Sequence, residues 1–250
     1  MEITDLNRDL DTAIRAAKES GKLLLDKRNQ LNKNLESSLK DTKLLADLES
    51  EKLIKEILNT SSEYQILGEE GGKSNENLGN TYWVVDPLDG SANYNRGIPM
   101  CCVSIGLIKN MKPILGVIYD FDNDDLYEGD RSNSKSTKNG SYIKVSDYEN
   151  KEDGVLITGL PHASDYSDKS LENMINDMQT WKKVRMIGSA AIAACYIACG
   201  KAEMYKENGV YLWDIVAGAA IVESAGGQAE ILNLRDNFQV DVIFSNSRIK

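Results

Sequence analysis

The chain has 250 residues, of which 41% are hydrophobic and 27% charged, as expected for one large folded domain or two packed halves. Its 39 acidic residues outnumber 29 basic ones, and a net charge of -10 gives no attraction for nucleic acid or an anionic membrane. Metal cations are better suited as partners. The N-terminus lacks the apolar core of a signal peptide, and no later run is long enough to span a bilayer, so we expect a cytoplasmic protein.

Two amphipathic helices are predicted at the start of the chain, because apolar residues recur at helical spacing over residues 6–24 and again over residues 44–58. The polar stretch QLNKNLESS between them predicts a loop. Short apolar runs then predict strands at YWVVD, MCCVSIGLI and PILGVIY. RSNSKSTKNGSYIKVS predicts an exposed hairpin that turns at Asn139 and Gly140.

Strands and helices alternate after about residue 145. GVLIT, AEMY and VDVIFSN predict strands, whereas SLENMINDMQTW, SAAIAACYIACG and DIVAGAAIVESAGG predict helices, with Gly200 and Gly226 near the ends of the last two. The sequence therefore predicts an α+β half over residues 1–145 and an α/β half over residues 146–250. The interface between the halves is a natural place for a site.

Acidic residues stand at three predicted turns or element ends. WVVDPLDGS places Asp86 and Asp89 after an apolar strand, where a buried charge needs a positive partner. LGEEGG holds Glu69 among glycines, and LWDIVAG places Asp214 at a helix start. Carboxylate oxygens suit Mg²⁺. Each feature alone is also compatible with a surface turn, a solvated loop charge or a helix cap.

Ligands for softer metals are scarce. His162 is the only histidine, and the neighbouring Cys101 and Cys102 face opposite sides of a predicted strand, so they cannot share one ion. Cys195 and Cys199 share a helix face, but no second pair joins them. This composition argues against zinc hydrolysis and a serine triad. It favours phosphoryl transfer assisted by a pair of Mg²⁺ ions.

The order of these motifs resembles that of the inositol monophosphatase family, the lithium-sensitive, Mg²⁺-dependent phosphatases. The resemblance rests on Gly68-Glu69-Glu70, the turn from Asp86 to Ser91 and the segment from Trp213 to Gly218, together with SANY, VSIGL, GSAA and ESAGG. It spans almost the whole chain. It implies a layered αβαβα sandwich, usually a homodimer, that hydrolyses a small phosphate ester.

The resemblance also implies the ligands of two to three Mg²⁺ ions. Glu69, Asp86 and the Leu88 carbonyl would hold the first ion, and Asp86, Asp89 and Asp214 the second. Asp86 would therefore bridge the two. The two ions would neutralise the charges of Asp86 and Asp89, which explains how acidic residues are tolerated after an apolar strand.

The same resemblance implies catalytic and substrate-binding residues. Ser91 and Asp47 would help to remove a proton from the attacking water, Glu69 would assist through the metal, and amides near Gly90 would bind phosphate. Glu207 matches a family glutamate that accepts hydrogen bonds from inositol hydroxyls. The implied substrate-binding residues are Asp89, Gly90, Ser91, Gly188, Ser189, Ala190 and Glu207.

Glu207 favours a polyol phosphate, with inositol monophosphate or a similar sugar phosphate as the leading substrate. A 3'(2'),5'-bisphosphate nucleotidase is the alternative, followed by fructose-1,6-bisphosphatase and histidinol-phosphatase. The alternative without enzymatic activity is a catalytically silent binding protein on the same scaffold. Glu207 is itself open to a simpler interpretation as an exposed loop carboxylate.

Some positions depart from the family pattern. Leu44 replaces a usual threonine near the third metal position, and Glu36 replaces a lysine found in some relatives, although Lys40 is close in sequence. These changes leave the third ion and the lithium response open. His162 lies in ITGLPHASDY, where it would either enter the pocket or remain in a solvated loop.

Overall fold

The computed structural model describes residues 3–37, 42–160 and 167–250. Its helices appear where apolar residues recur with a helical period. The long first helix buries Ala13, Ala17 and Leu24 on one face. The helices are α1 (Ile3–Asp26), α2 (Arg28–Leu31), α3 (Leu45–Leu58), α4 (Ser91–Arg96), α5 (Asp168–Met178), α6 (Ala190–Ala198) and α7 (Leu212–Ser224), with a 3-10 turn at Lys151–Asp153.

The strands form a small hairpin and two larger sheets, described here in chain order. The first ten are β1 (Asn34–Ser37), β2 (Thr42–Leu44), β3 (Gln65–Gly68), β4 (Gly72–Lys73), β5 (Thr81–Asp89), β6 (Cys102–Lys109), β7 (Lys112–Asp120), β8 (Asp125–Asp130), β9 (Lys135–Lys138) and β10 (Ser141–Tyr142). The remainder are β11 (Val155–Thr158), β12 (Lys183–Arg185), β13 (Met204–Tyr211), β14 (Gln228–Leu232) and β15 (Gln239–Ser245).

The large sheet has 8 strands in the order β10-β9-β8-β7-β6-β5-β3-β4. Its neighbours are antiparallel except for β3 and β5, which run parallel. The smaller sheet has 5 strands in the order β12-β11-β13-β15-β14 and combines parallel and antiparallel pairs. β1 and β2 form a separate antiparallel hairpin that leads into α3.

The layers follow from the two-residue period of the strands. In β5, Trp83 and Val85 pack in the core under α1 and α3, whereas Tyr82 and Val84 belong to the core between the sheets, which also includes α6 and α7. Helix α5 is joined to the small sheet by the ion pair between its Asp177 and Lys206 of β13. The predicted αβαβα sandwich is therefore confirmed.

A row of glycines brings α7 close to the large sheet. Gly106, Gly116 and Gly129 are paired across β6, β7 and β8. A Cβ atom on Gly116 would lie 2.1 Å from the Ala217 carbonyl oxygen, and one on Gly129 would lie 2.5 Å from the Ile221 Cα. The missing side chains allow the backbone of α7 to contact the sheet directly.

Most elements predicted from the sequence occur where expected. The hairpin prediction is confirmed, since Asn139 and Gly140 have φ angles of 50° and 76° between β9 and β10. The loop prediction for QLNKNLESS is wrong, because this stretch contains the end of α2 and all of β1. Backbone pairing with β2 holds β1 without a need for apolar side chains. The division into halves at residue 145 stays a prediction.

Several strands escaped the sequence analysis. β3, β8 and β14 are short, and β8 and β14 carry charged residues that hide the two-residue period. None of the helices in the described ranges is both long and apolar enough to cross a membrane.

Candidate functional site

Parallel pairing of β3 and β5 brings two acidic loops together. Gly68 pairs with Val85, and the Glu69 amide donates to the Val85 carbonyl oxygen at 3.2 Å. This register places Glu69 beside Asp86, although the sequence separates them by a whole loop. Glu69 directly follows β3, and Asp86 lies near the end of the parallel strand β5, at an edge of the sheet that favours ligand binding.

The end of β5 is shaped by a local hydrogen bond, and the turn that follows it is shaped by a glycine. Asp86 Oδ1 accepts a bond from the Leu88 amide at 2.9 Å. Gly90 has a φ of 87°, and a Cβ atom there would lie 2.8 Å from the Met100 carbonyl oxygen. Only glycine allows this close approach without strain. Helix α4 begins immediately afterwards at Ser91.

Asp47 and Ser91 form a direct pair between α3 and α4. The Ser91 hydroxyl lies 2.8 Å from Asp47 Oδ1 and 2.9 Å from the Leu88 carbonyl oxygen, and either oxygen can accept its hydrogen bond. Asp47 Oδ2 accepts from the Leu44 amide at 2.6 Å. Burial raises the pKa of Asp47 to about 7, while the Ser91 bond opposes the rise.

Asp89 connects the large sheet to the start of α6, and Asp214 accepts a hydrogen bond at the start of its own helix, α7. Asp89 Oδ2 accepts from the Ser189 hydroxyl and from the Ala191 amide, both at 2.6 Å, at the start of α6. Asp214 Oδ2 accepts from the Tyr211 amide at 2.8 Å in the first turn of α7. Each acid therefore also stabilises a helix start.

The carboxylates share one electrostatic environment. Burial is the largest cause that raises the pKa of Asp86, followed by the charges of Glu69, Asp89 and Asp214. Burial likewise raises the pKa of Glu69, with Asp214 as the next cause. The pKa of Asp89 is raised to about 6 by burial, against the hydrogen bonds from Ser189 and Ala191. The structure thus brings together acids from distant parts of the chain.

Hard divalent cations fit this donor set. Asp86 and Asp89 are buried, and neither forms an ion pair with a lysine or arginine in the described ranges. All available donors are oxygens. Across residues 3–37, 42–160 and 167–250, however, no three acidic, cysteine or histidine side chains already have the arrangement of a metal-binding cluster. Several carboxylate oxygens are instead turned toward protein donors, as the bonds above show.

Glu207 lies on β13, with its carboxylate close to the backbone of Gly159. Its Oε2 accepts from the Tyr205 hydroxyl at 3.0 Å. A Cβ atom on Gly159 would lie 2.3 Å from Glu207 Oε1, so a larger residue there would displace the Glu207 carboxylate. Burial raises the pKa of Glu207 to about 7, and Asp89 is a minor further cause. This partly enclosed acid differs from a freely solvated loop carboxylate.

The segment at residues 188–190 is fastened by a residue whose role the sequence did not reveal. The Asn93 side-chain amide lies 2.8 Å from the Met100 and Ile187 carbonyl oxygens and 3.3 Å from that of Gly188. Ser189 and Ala190 are buried at the start of α6. The pattern SANY is the signal that places Asn93 next to the turn.

Several sequence-based expectations concern residues with little structural description. Lys40 and His162 lie outside the described residues, and the Glu36 side chain is not described either. Leu44 is fully buried in the core with α1 and α3. Its apolar side chain therefore has a packing role at the position where relatives have a hydroxyl.

Comparisons with known proteins agree with this architecture. The sequence profile of the inositol monophosphatase family matches residues 5–248. The "Nus factor SuhB" of Xylella fastidiosa is 35% identical over 219 residues, covering 86% of this chain and 78% of that protein. The "Fructose-1,6-bisphosphatase/inositol-1-monophosphatase" of Aquifex aeolicus is 35% identical over 228 residues, covering 89% of this chain and 85% of that one.

A solved structure shows the same fold. The inositol monophosphatase from Anabaena (Nostoc) superposes with a TM-score of 0.81 at 32% sequence identity, covering 96% of this chain and 91% of that chain.

Proposed function

The chain belongs to the inositol monophosphatase family and is a phosphoric monoester hydrolase, and we propose that it is a Mg²⁺-dependent enzyme for inositol monophosphate or a related sugar or polyol phosphate. The observation that carries this proposal is the shared environment of Glu69, Asp86, Asp89 and Asp214, in which the neighbouring acidic charges add to the effect of burial in raising the pKa of Glu69 and Asp86. Such a group is costly without cations.

The acids would divide between two principal metal positions. Glu69, Asp86 and the Leu88 carbonyl would hold one Mg²⁺, and Asp86, Asp89 and Asp214 the other, with a third ion bound more weakly. When bound, the ions supply a positive charge that acidifies water and stabilises the charge on the phosphate and the leaving oxygen. The fixed carboxylates would keep this charge at the edge of the large sheet.

Asp47 and Ser91 would handle the proton of the attacking water. The bond at 2.8 Å between them fixes the hydroxyl, and the buried Asp47, whose pKa is about 7, can accept a proton near neutral pH. The amides of Gly90 and Ser91 would donate to phosphate oxygens. Glu69 would contribute to the same step from the opposite loop.

Glu207 would select the substrate. The Tyr205 hydroxyl holds its carboxylate, which leaves the remaining lone pairs for substrate hydroxyls. Gly188, Ser189 and Ala190 would complete the wall of the pocket. A polyol offers several hydroxyl donors, whereas a bisphosphate nucleotide would bring further negative charge to Glu207, so the nucleotidase is the second candidate.

We further propose a cytoplasmic homodimer with lithium-sensitive activity. The exposed apolar side chains of Ile98 and Met186, which flank segments joined through Asn93, support a surface for a second copy of the chain.

The metal assignment is tested by Asp86→Asn. Loss of the bridging charge should lower Mg²⁺-dependent phosphate release by about a thousandfold or more, because electrostatic stabilisation of the transition state is lost. Asp236→Asn serves as the matched control, since Asp236 is an exposed loop residue. Circular dichroism verifies that both variants fold. Full Mg²⁺-dependent turnover by Asp86→Asn would contradict the assignment.

A substrate panel tests the pocket assignment. Inositol monophosphate and sugar phosphates should be hydrolysed faster than adenosine 3',5'-bisphosphate at several Mg²⁺ concentrations. The reverse order would show that the Glu207 argument is wrong while leaving the phosphatase assignment intact.

A further inference from the structure

We propose that Glu51 is a positioning residue that fixes the loop carrying Glu69 and thereby sets the affinity for the divalent ions. The inference rests on the proposed function, because it takes Glu69 as a metal ligand. Glu51 is not itself placed at the reacting atoms. It would act only through the backbone of the neighbouring loop.

Both carboxylate oxygens of Glu51 accept hydrogen bonds from the loop that carries Glu69. Oε2 accepts from the Glu70 amide at 2.8 Å, and Oε1 accepts from the Gly71 amide at 2.9 Å. Glu51 is only 3% exposed. Two charge-assisted bonds to consecutive amides restrict the backbone that directly follows Glu69.

The loop sequence is adapted to this carboxylate. A Cβ atom on Gly68 would lie 2.5 Å from Glu51 Oε2, and one on Gly71 would lie 2.9 Å from Oε1. Side chains at these two positions would overlap the Glu51 carboxylate and displace it from the loop amides. The glycines on both sides of Glu69-Glu70 thus have a specific partner, and turn flexibility alone does not account for them.

Lysine side chains form ion pairs with Glu51 and with Glu70 of the loop. Lys55 Nζ lies 2.5 Å from Glu51 Oε1, and Lys43 Nζ lies 2.5 Å from Glu70 Oε2. The first pair compensates the charge of Glu51 in its buried position. The second directs the Glu70 carboxylate toward Lys43, which distinguishes it from the adjacent Glu69.

The same face of α3 also holds the second metal-binding segment. Asp47 binds Ser91, and the Ser50 hydroxyl donates to the Pro87 carbonyl oxygen at 2.8 Å. Residues 47, 50 and 51 share this face because they are three and four positions apart. Glu51 therefore relates the Glu69 loop to the turn of Asp86 through one rigid helix.

The experiment compares Glu51→Gln with the matched control Glu56→Gln, which changes an exposed glutamate of the same helix. Glutamine keeps the size of the side chain but directs an NH₂ group at one of the two loop amides. Mg²⁺ binding is measured by isothermal titration calorimetry, and amide exchange of residues 66–74 by hydrogen–deuterium exchange without metal. Gly68→Ala perturbs the same contact from the loop side if Glu51→Gln folds poorly.

Glu51→Gln should weaken Mg²⁺ binding by about 10- to 100-fold, as expected for a group that orients a metal ligand. Exchange at residues 70 and 71 should accelerate by about tenfold. Turnover should recover at saturating Mg²⁺, with an unchanged KM for the substrate. Glu56→Gln should match the wild type in all of these measurements.

Unchanged Mg²⁺ affinity and unchanged exchange in Glu51→Gln, with only a lower melting temperature, would overturn the inference. The proposed function fails separately: a wild-type protein that binds Mg²⁺ but releases phosphate from no substrate would refute it, while the comparison of Mg²⁺ affinities would still test Glu51.

Discussion

Replacing Gly116 by alanine tests how closely helix α7 must pack on the large sheet. The new Cβ atom would lie 2.1 Å from the Ala217 carbonyl oxygen and 2.8 Å from its carbonyl carbon. Both are backbone atoms, so no change of rotamer can relieve the overlap. A carbon–oxygen contact needs roughly 3.3 Å, and α7 must therefore move by about 1 Å.

The displacement has a predictable cost. Overpacking of this kind destabilises proteins by about 1–3 kcal/mol. At about 2–4 °C for each kcal/mol in a chain of this size, Gly116→Ala should lower the melting temperature by about 2–12 °C. Asp214 lies in the first turn of the same helix, and a misplacement of about 1 Å can cost about a hundredfold in turnover.

The assay combines calorimetric unfolding with Mg²⁺-dependent phosphate release. Gly140→Ala is the control, because a Cβ atom on Gly140 meets nothing within 4 Å and the residue lies in a hairpin turn with a φ of 76°. Gly140→Ala should lower the free energy of unfolding by about 1 kcal/mol through backbone strain alone and leave turnover unchanged. A Gly116→Ala protein with wild-type melting temperature and turnover would refute the close packing of α7.

Two further predictions concern charged groups outside the metal ligands. Arg28→Met should destabilise the protein by about 2 kcal/mol in urea unfolding, because Arg28 donates to both oxygens of Asp122 and lies over the Tyr94 ring. Addition of Asp122→Asn should recover part of that loss, and strictly additive effects would contradict the pairing. Burial raises the pKa of Glu207 to about 7, so its ionisation destabilises the folded state as pH rises from about 4.5 through 7. The free energy of unfolding of Glu207→Gln, relative to that of the wild type, should therefore increase by about 2 kcal/mol between about pH 4 and pH 8. A difference in unfolding free energy that stays constant with pH would refute this prediction.

Local sequence patterns were sufficient for most of the secondary structure. The helical period of α1 and α3, the apolar run of β5 and the Asn139-Gly140 turn all depend on residues close in sequence. Strand β1 was missed because backbone pairing with β2 forms it, and its polar side chains carry no such period.

The motifs also identified the acids, but their roles depend on contacts that no local pattern specifies. Ser189 resembled only a pocket residue, whereas its hydroxyl bonds to Asp89 from a position 100 residues away. For Glu51 the sequence indicated only a position in a predicted helix, although its carboxylate binds the Glu69 loop. Such partners depend on the packing of α3 and α6 against the large sheet.

The sequence by itself determined most of the helices and strands and which carboxylates are available, because periodicity and turn chemistry act over a few residues. Only the tertiary structure decided that Glu69 lies beside Asp86, through the parallel register of β3 and β5, and that glycines let α7 bring Asp214 to the same edge. Burial in one shared environment then sets the pKa of these acids, and that environment exists only after distant segments have packed together.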